Sequence, residues 1–197
     1  MVSGRQRQRE SFAERRARRA EVDDPAAVLD AALQFLEARQ RSVAEVRRRL
    51  TTVGYREVLV TAAIERLGEL GMLDDQAFAA QWVESRDRAR PRGERALRQE
   101  LRQKGIDSET IARTLEDRNR SGDEAESGDG VPASADETAA RRLLARHAAG
   151  LARIADPRTR RQRAYALLAR SGFGPEIAAD LAREDAAGLG AEREGDS

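Results

Sequence analysis

Apolar positions along this chain recur at helical spacing, and three times the pattern closes on the same phrase. Leu50, Leu101 and Leu168 each stand four residues before a glycine: Gly54, Gly105 and Gly172. An apolar residue follows at once, as Tyr55, Ile106 and Phe173, so the stretches read VRRRLTTVGY, LRQELRQKGI and AYALLARSGF. Pairs at i, i+4 come next: Val60 with Ile64, Ile111 with Leu115, Ile177 with Leu181. A helix that ends needs a residue in the left-handed region just past its last turn, which glycine supplies without steric cost. The apolar residue after it folds back on that turn. Asp107 or Ser108 can cap a new helix and Pro175 suits a first helical position. Each phrase therefore predicts helix, tight turn, helix.

A further helix is predicted upstream of each phrase. Val28, Leu29, Ala32, Leu33, Phe35 and Leu36 make the apolar face of one over 25–39. Phe78, Ala79, Trp82 and Val83 mark a second over 76–87, with Trp82 expected in the core. Leu143, Leu144 and His147 mark a third over 136–149, with His147 expected in the core or at its edge. All five prolines, Pro25, Pro91, Pro132, Pro157 and Pro175, fall at proposed boundaries and none interrupts a proposed helix.

The expected fold is thus all-α: an elongated, curved array of three tandem three-helix repeats at 25–73, 74–119 and 136–185. A unit of about 45 residues buries little core alone, and stacked units can share interfaces. Three independent small bundles are the alternative. Residues 1–24 are expected as a basic, disordered arm, 120–135 as a disordered Gly/Ser/acid-rich insertion and 186–197 as a disordered acidic tail.

Composition narrows the chemistry. Charged residues make up 36% of the 197 and aromatics 4%, and the Ala, Leu, Arg, Glu and Gln that dominate are helix formers. With no cysteine there is no disulfide and no thiolate zinc site, and one histidine cannot make a His-rich metal site. No run approaches the ~18 apolar residues of a membrane span. A cytoplasmic protein without cofactor is expected. Net charge is +1, but it is unevenly spread. Arginine is concentrated in residues 1–20 and 86–104, while Lys104 is the sole lysine.

Candidates for catalysis are poor. Asp74 and Asp75 are adjacent at a helix start, where capping explains them better than convergence on a substrate atom. His147 has no evident Ser or Cys partner. No phosphate loop of the Gly-Lys-Ser/Thr type occurs, so no ATPase activity is expected. The basic helix says more. At 100° per residue, Arg95, Arg98 and Arg102 fall within about 60° of each other, opposite Leu97 and Leu101. Arg86, Arg88, Arg90 and Arg92 extend the positive surface upstream, and Lys104 follows it. The stripe is either a binding surface or a solvated face partly offset by Glu94 and Glu100. Arg15–Arg19 reads either as a binding arm or as a disordered tail. The few aromatics read as structural, with no interleaved stacking platform for a single strand.

The run GMLDDQAFAAQWVESRDRARPRGERALRQELRQKGI, residues 71–106, resembles the central signature of the RecX family of regulatory proteins. The resemblance rests on Gly71, Leu73, Asp74, Asp75, Phe78 and Ala79, then Arg86 and Arg88, then Arg92 and Gly93, then Leu97, Glu100, Leu101, Lys104, Gly105 and Ile106. Arg41, Ser42, Gly54 and Tyr55 of the first copy fit too. The match covers about residues 26–118 well and 136–185 more loosely. Met72 departs from it, standing where an aromatic is common, and the third repeat keeps mainly its Gly172-Phe173 ending.

The resemblance implies tandem three-helix units and a non-enzymatic modulator of RecA. Such proteins typically inhibit RecA strand exchange and coprotease activity and lie along the groove of the RecA–DNA filament. The basic stripe from Arg86 to Lys104 would then face RecA, DNA or the filament. A monomer is expected, with at most a weak, salt-sensitive contact to DNA and none to a membrane. The competing expectation is a helix-turn-helix-like protein acting on naked DNA, which the near-zero net charge disfavours.

Overall fold

The computed structural model describes residues 10–125 and 134–194. They form helices and no strand: α1 (Phe12–Ala20), α2 (Pro25–Glu37), α3 (Val43–Val53), α4 (Glu57–Glu69), α5 (Asp75–Ala89), α6 (Glu94–Gln103), α7 (Ser108–Ala125), α8 (Ala135–Ala152), α9 (Pro157–Arg170) and α10 (Pro175–Glu194). None of them is long and apolar enough to cross a membrane. The triplets α2–α4, α5–α7 and α8–α10 are the tandem three-helix repeats that the spacing predicts.

The glycine phrases do what their chemistry requires. Gly54, Gly105 and Gly172 have φ of +114°, +81° and +88°. In each case the next amide reaches back to the leucine carbonyl: Tyr55 to Leu50 at 3.2 Å, Ile106 to Leu101 at 3.1 Å, Phe173 to Leu168 at 3.3 Å. The glycine amide bonds to the carbonyl three residues back, at Thr51, Arg102 or Ala169. This Schellman geometry turns the chain and drops Ile106 and Phe173 into the core. Pro25, Pro157 and Pro175 stand first in α2, α9 and α10, and Pro91 lies between α5 and α6. Pro132 lies outside the described residues.

By contact the chain divides into two compact units, residues 1–78 and 79–197. In the first, Val28 and Ala32 of α2, Val46 and Leu50 of α3, and Leu59, Val60, Ala63, Ile64 and Leu67 of α4 make one apolar core closed by Leu73. Ser42 and Glu45 form a capping box at the start of α3. The Asp75 carboxylate accepts from the Val43 amide at 2.9 Å, satisfying another orphan donor of that helix.

In the second unit, Leu97 and Leu101 of α6 and Ile111 and Leu115 of α7 are buried. A cluster around Leu143, Leu144, Leu168, Phe173 and Leu181 fills the third repeat. The second and third repeats meet inside this unit. The Gly93 amide donates to the Ser171 carbonyl at 3.0 Å. A Cβ on Gly93 would lie 2.4 Å from the Gly172 backbone. Arg118 of α7 bridges Asp87 of α5 and Asp136 of α8 at 2.9 and 2.6 Å. Asp136 also accepts from the Glu94 amide at the start of α6.

Five expectations change. Within the arm expected to be disordered, Ser11 and Glu14 form a capping box and start α1, in a stretch of good helix formers; residues 1–9 lie outside the described set. α7 runs on to Ala125, since no proline stops it before Pro132; of the proposed insertion, 126–133 lie outside the described residues. α10 likewise continues through the proposed tail to Glu194, leaving only 195–197 undescribed. Trp82 is half-buried rather than core, because its indole N–H and ring face serve a polar cluster described below. His147 is exposed, since the core side of α8 is taken by Ala139, Ala140, Leu143 and Leu144.

Candidate partner-binding surface

The basic stripe lies on α5, the α5–α6 loop and α6. The two helices bury opposite sides of their sequence: Phe78, Ala79 and Val83 from α5, Leu97 and Leu101 from α6. This leaves the arginines outward. They are not equivalent.

Glu100 organises one group. Its Oε2 accepts from Trp82 Nε1 at 2.8 Å and from Arg86 Nε at 2.6 Å, and its Oε1 lies 3.7 Å from Arg92 Nε. The Arg86 guanidinium sits 4.4 Å from the Trp82 ring centroid, and the Lys104 ammonium 4.7 Å. Cations over an indole face are attracted by its quadrupole. Arg86, Arg92 and Lys104 are therefore committed to an intramolecular cluster. Arg88 pairs with Glu84 and Arg98 with Glu94, each one helical turn away. Exposed pairs of this kind stabilise by only tenths of a kcal/mol, yet they offset two of the stripe's positive charges.

Arg90, Arg95 and Arg102 are exposed and form no ion pair among the described residues. Of the eight cations in the predicted stripe, these three have neither an acidic partner nor an aromatic ring beside them among the described residues. Arg95 and Arg102 lie almost two helical turns apart on one face, about 10 Å along the axis.

The acidic pair Asp74-Asp75 works as local caps. Asp74 accepts from the Gln76 and Ala77 amides at 2.8 and 3.0 Å, and Asp75 serves α3 as described. Neither converges on a common point in the way that acid–base chemistry needs.

Beneath the stripe, Arg118 is nearly buried. Burial opposes its charge, but hydrogen bonds to Asp87 and Asp136 outweigh that and raise its pKa above the ordinary guanidinium value. Sequence reasoning missed Glu100 as an organiser and Arg118 as a bridge. Trp82, Arg86 and Glu100 carry a weak local signal, since Trp82 and Arg86 are i, i+4. The link from Arg118 to Asp87, 31 residues away, has none.

Models of the first and second three-helix domains of RecX match residues 29–67 and 74–115. The protein named regulatory protein RecX of Mycobacterium sp. (strain JLS) is 37% identical over 160 residues, covering 79% of this chain and 80% of that one. Its namesake in Mycobacterium avium (strain 104) is 33% identical, covering 82% and 84%. In structure, the chain is similar to the crystal structure of RecX from Lactobacillus salivarius, with a TM-score of 0.63 at 20% identity over 84% of this chain and 97% of that one. A second crystal structure, of regulatory protein RecX, gives a TM-score of 0.61 over 84% and 70%.

Proposed function

This chain belongs to the RecX family of regulatory proteins, and from that premise we propose that it binds RecA and RecA–DNA filaments and chiefly inhibits RecA ATPase, strand exchange and coprotease activity. The observation that supports a docking role for the second repeat is its free cations: among the described residues Arg90, Arg95 and Arg102 form no ion pair, whereas the stripe's other arginines each lie against a glutamate. Arginine suits the carboxylates and phosphates that a nucleoprotein filament offers. All three are exposed, and Arg95 and Arg102 lie on the side of α6 opposite Leu97 and Leu101, so they can be engaged without disturbing the core.

Several repeats on one chain let weak contacts to successive filament subunits add through effective concentration. Such binding alters the filament only if one of its states is bound better than another. ATP turnover in this scheme belongs to RecA, and the regulator contributes binding energy alone.

The test is a titration of purified protein into RecA on single-stranded DNA, following ATP hydrolysis and strand exchange. Inhibition at substoichiometric ratios is expected. No effect up to equimolar protein refutes the reading, and tight sequence-specific binding to naked duplex at physiological salt would favour the helix-turn-helix alternative. The double substitution Arg95→Glu/Arg102→Glu should weaken inhibition about tenfold, equivalent to ~1.4 kcal/mol of binding, at unchanged melting temperature. Full inhibition by that variant would remove the stripe from the interface.

A further inference from the structure

Helix α9 carries Arg158, Arg160, Arg161, Arg163 and Arg170 and no acidic residue. One of these arginines is structural. Arg160 is 2% exposed, and its Nε and Nη2 donate to the Ile154 carbonyl at 3.2 and 3.0 Å. Together with buried Ala164 and Leu168 it fixes which side of α9 faces inward. The outward side is then set: Arg158, Arg161, Gln162 and Tyr165, at i, i+3, i+4 and i+7, form one stripe.

That stripe makes one wall of a groove of about 530 Å3, and Ala179, Ala182 and Arg183 of α10 make the other. Tyr165 is 40% exposed, an uncommon setting among the few aromatics of this chain. Neither Arg158 nor Arg161 forms an ion pair among the described residues. Two of the acids nearby are otherwise engaged: Asp156 caps α9 through the Arg158 and Thr159 amides and Asp180 pairs with Arg183. Asp185 is half-buried, and its Oδ2 has no hydrogen-bond partner among the described residues.

We propose that the α9–α10 groove of the third repeat binds single-stranded nucleic acid without sequence preference, with Arg158 and Arg161 on phosphates and a base stacked on Tyr165. Charge and shape favour this occupant over an acidic peptide. A groove that combines a cationic track with a partly exposed aromatic ring suits a polymer that alternates phosphates with flat bases. A carboxylate-bearing peptide would use the arginines and leave the ring idle. The proposal goes beyond the RecA reading and does not need it.

The experiment is fluorescence anisotropy of a labelled oligothymidine, longer than the ~4–16 nucleotides that one such site covers, with the full-length protein over a range of salt. Arg158→Glu/Arg161→Glu should lower affinity about tenfold or more. Arg158→Gln/Arg161→Gln should flatten the dependence of log affinity on log salt by about 0.7 for each phosphate that is no longer neutralised. Tyr165→Ala should lose about fivefold or more, while Tyr165→Phe keeps the ring and the affinity. All three positions are exposed, so circular dichroism should show unchanged folding. Wild-type affinity in the glutamate variant overturns the proposal. So does equal loss in Tyr165→Phe and Tyr165→Ala, or competition by polyglutamate as effective as by oligothymidine at matched charge. RecA inhibition, measured on the same variants, is a separate readout: loss of oligothymidine binding with inhibition retained supports this site and leaves the regulator reading intact.

Discussion

At the scale of single residues, the chain relies on small polar groups to finish its helices. Asp107 follows the Gly105-Ile106 turn and accepts from the Glu109 and Thr110 amides, both at 2.9 Å. The Thr110 hydroxyl and amide, and then the Glu109 amide, hold its carboxyl below the ordinary aspartate pKa. A carboxyl whose folded pKa is depressed adds stability above its unfolded value of about 3.9, and that contribution is lost as pH falls through the folded value. Amide exchange at Glu109 and Thr110, corrected for intrinsic rates, should therefore accelerate between about pH 5 and pH 3 as α7 frays. Asp107→Asn retains an acceptor that does not titrate, and its corrected rates should be flat over that range. The same slope in wild type and Asn variant would show that the cap is not what titrates.

At the scale of elements, one side chain ties α7 to both α5 and α8. Arg118 is 6% exposed and meets Asp87 of α5 in two hydrogen bonds and Asp136 of α8 in one. Removing one partner from such a network leaves charges unpaired in a poorly solvated site, which is far more damaging than losing a surface pair. Arg118→Met, of similar length and without charge, should destabilise by about 3 kcal/mol or more in denaturant unfolding followed by circular dichroism. Loss of less than about 0.5 kcal/mol, the range of ordinary surface changes, would mean that solvent screens the bridge. Helix α6 illustrates the contrast. Its apolar positions and its arginines separate cleanly by angle, so its inward side was legible from spacing. Which arginines remain free was not, because Glu100 meets Trp82 and Arg86 across 18 and 14 residues.

At the scale of the whole molecule, the repeats are alike in their endings and unlike in their surroundings. Between the second and third repeats the backbones of Gly93 and Gly172 touch. Gly93 has an ordinary φ of −73°, so any side chain could adopt its conformation, and only space demands glycine there. Gly93→Ala would place a Cβ against backbone at 2.4 Å, which cannot move aside as a flexible side chain could. It should cost about 1–3 kcal/mol, the usual effect of overpacking, read as a lower thermal midpoint. An unchanged midpoint would show that the two repeats can separate slightly at that contact. In the sequence Gly93 reads as part of a loop with no evident reason to be glycine, since the residue it touches lies far along the chain in the next repeat.

The information legible along the chain is local and periodic. The spacing of Leu50, Leu101 and Leu168 to their glycines, the prolines at helix starts and the apolar faces specify helices, turns and three like repeats, because those rules act within a few residues. Helix α1 obeys the same rules through Ser11 and Glu14, and only weighing charge ahead of capping makes that stretch read as disordered. Only the tertiary structure decided which of the stripe's cations are spent on Glu100, Glu94 and Glu84, that Trp82 stands in a polar cluster, and that α9 turns Arg158, Arg161 and Tyr165 into one groove. Charge pairing and grooves depend on which helices lie side by side, and that follows from packing between residues remote along the chain.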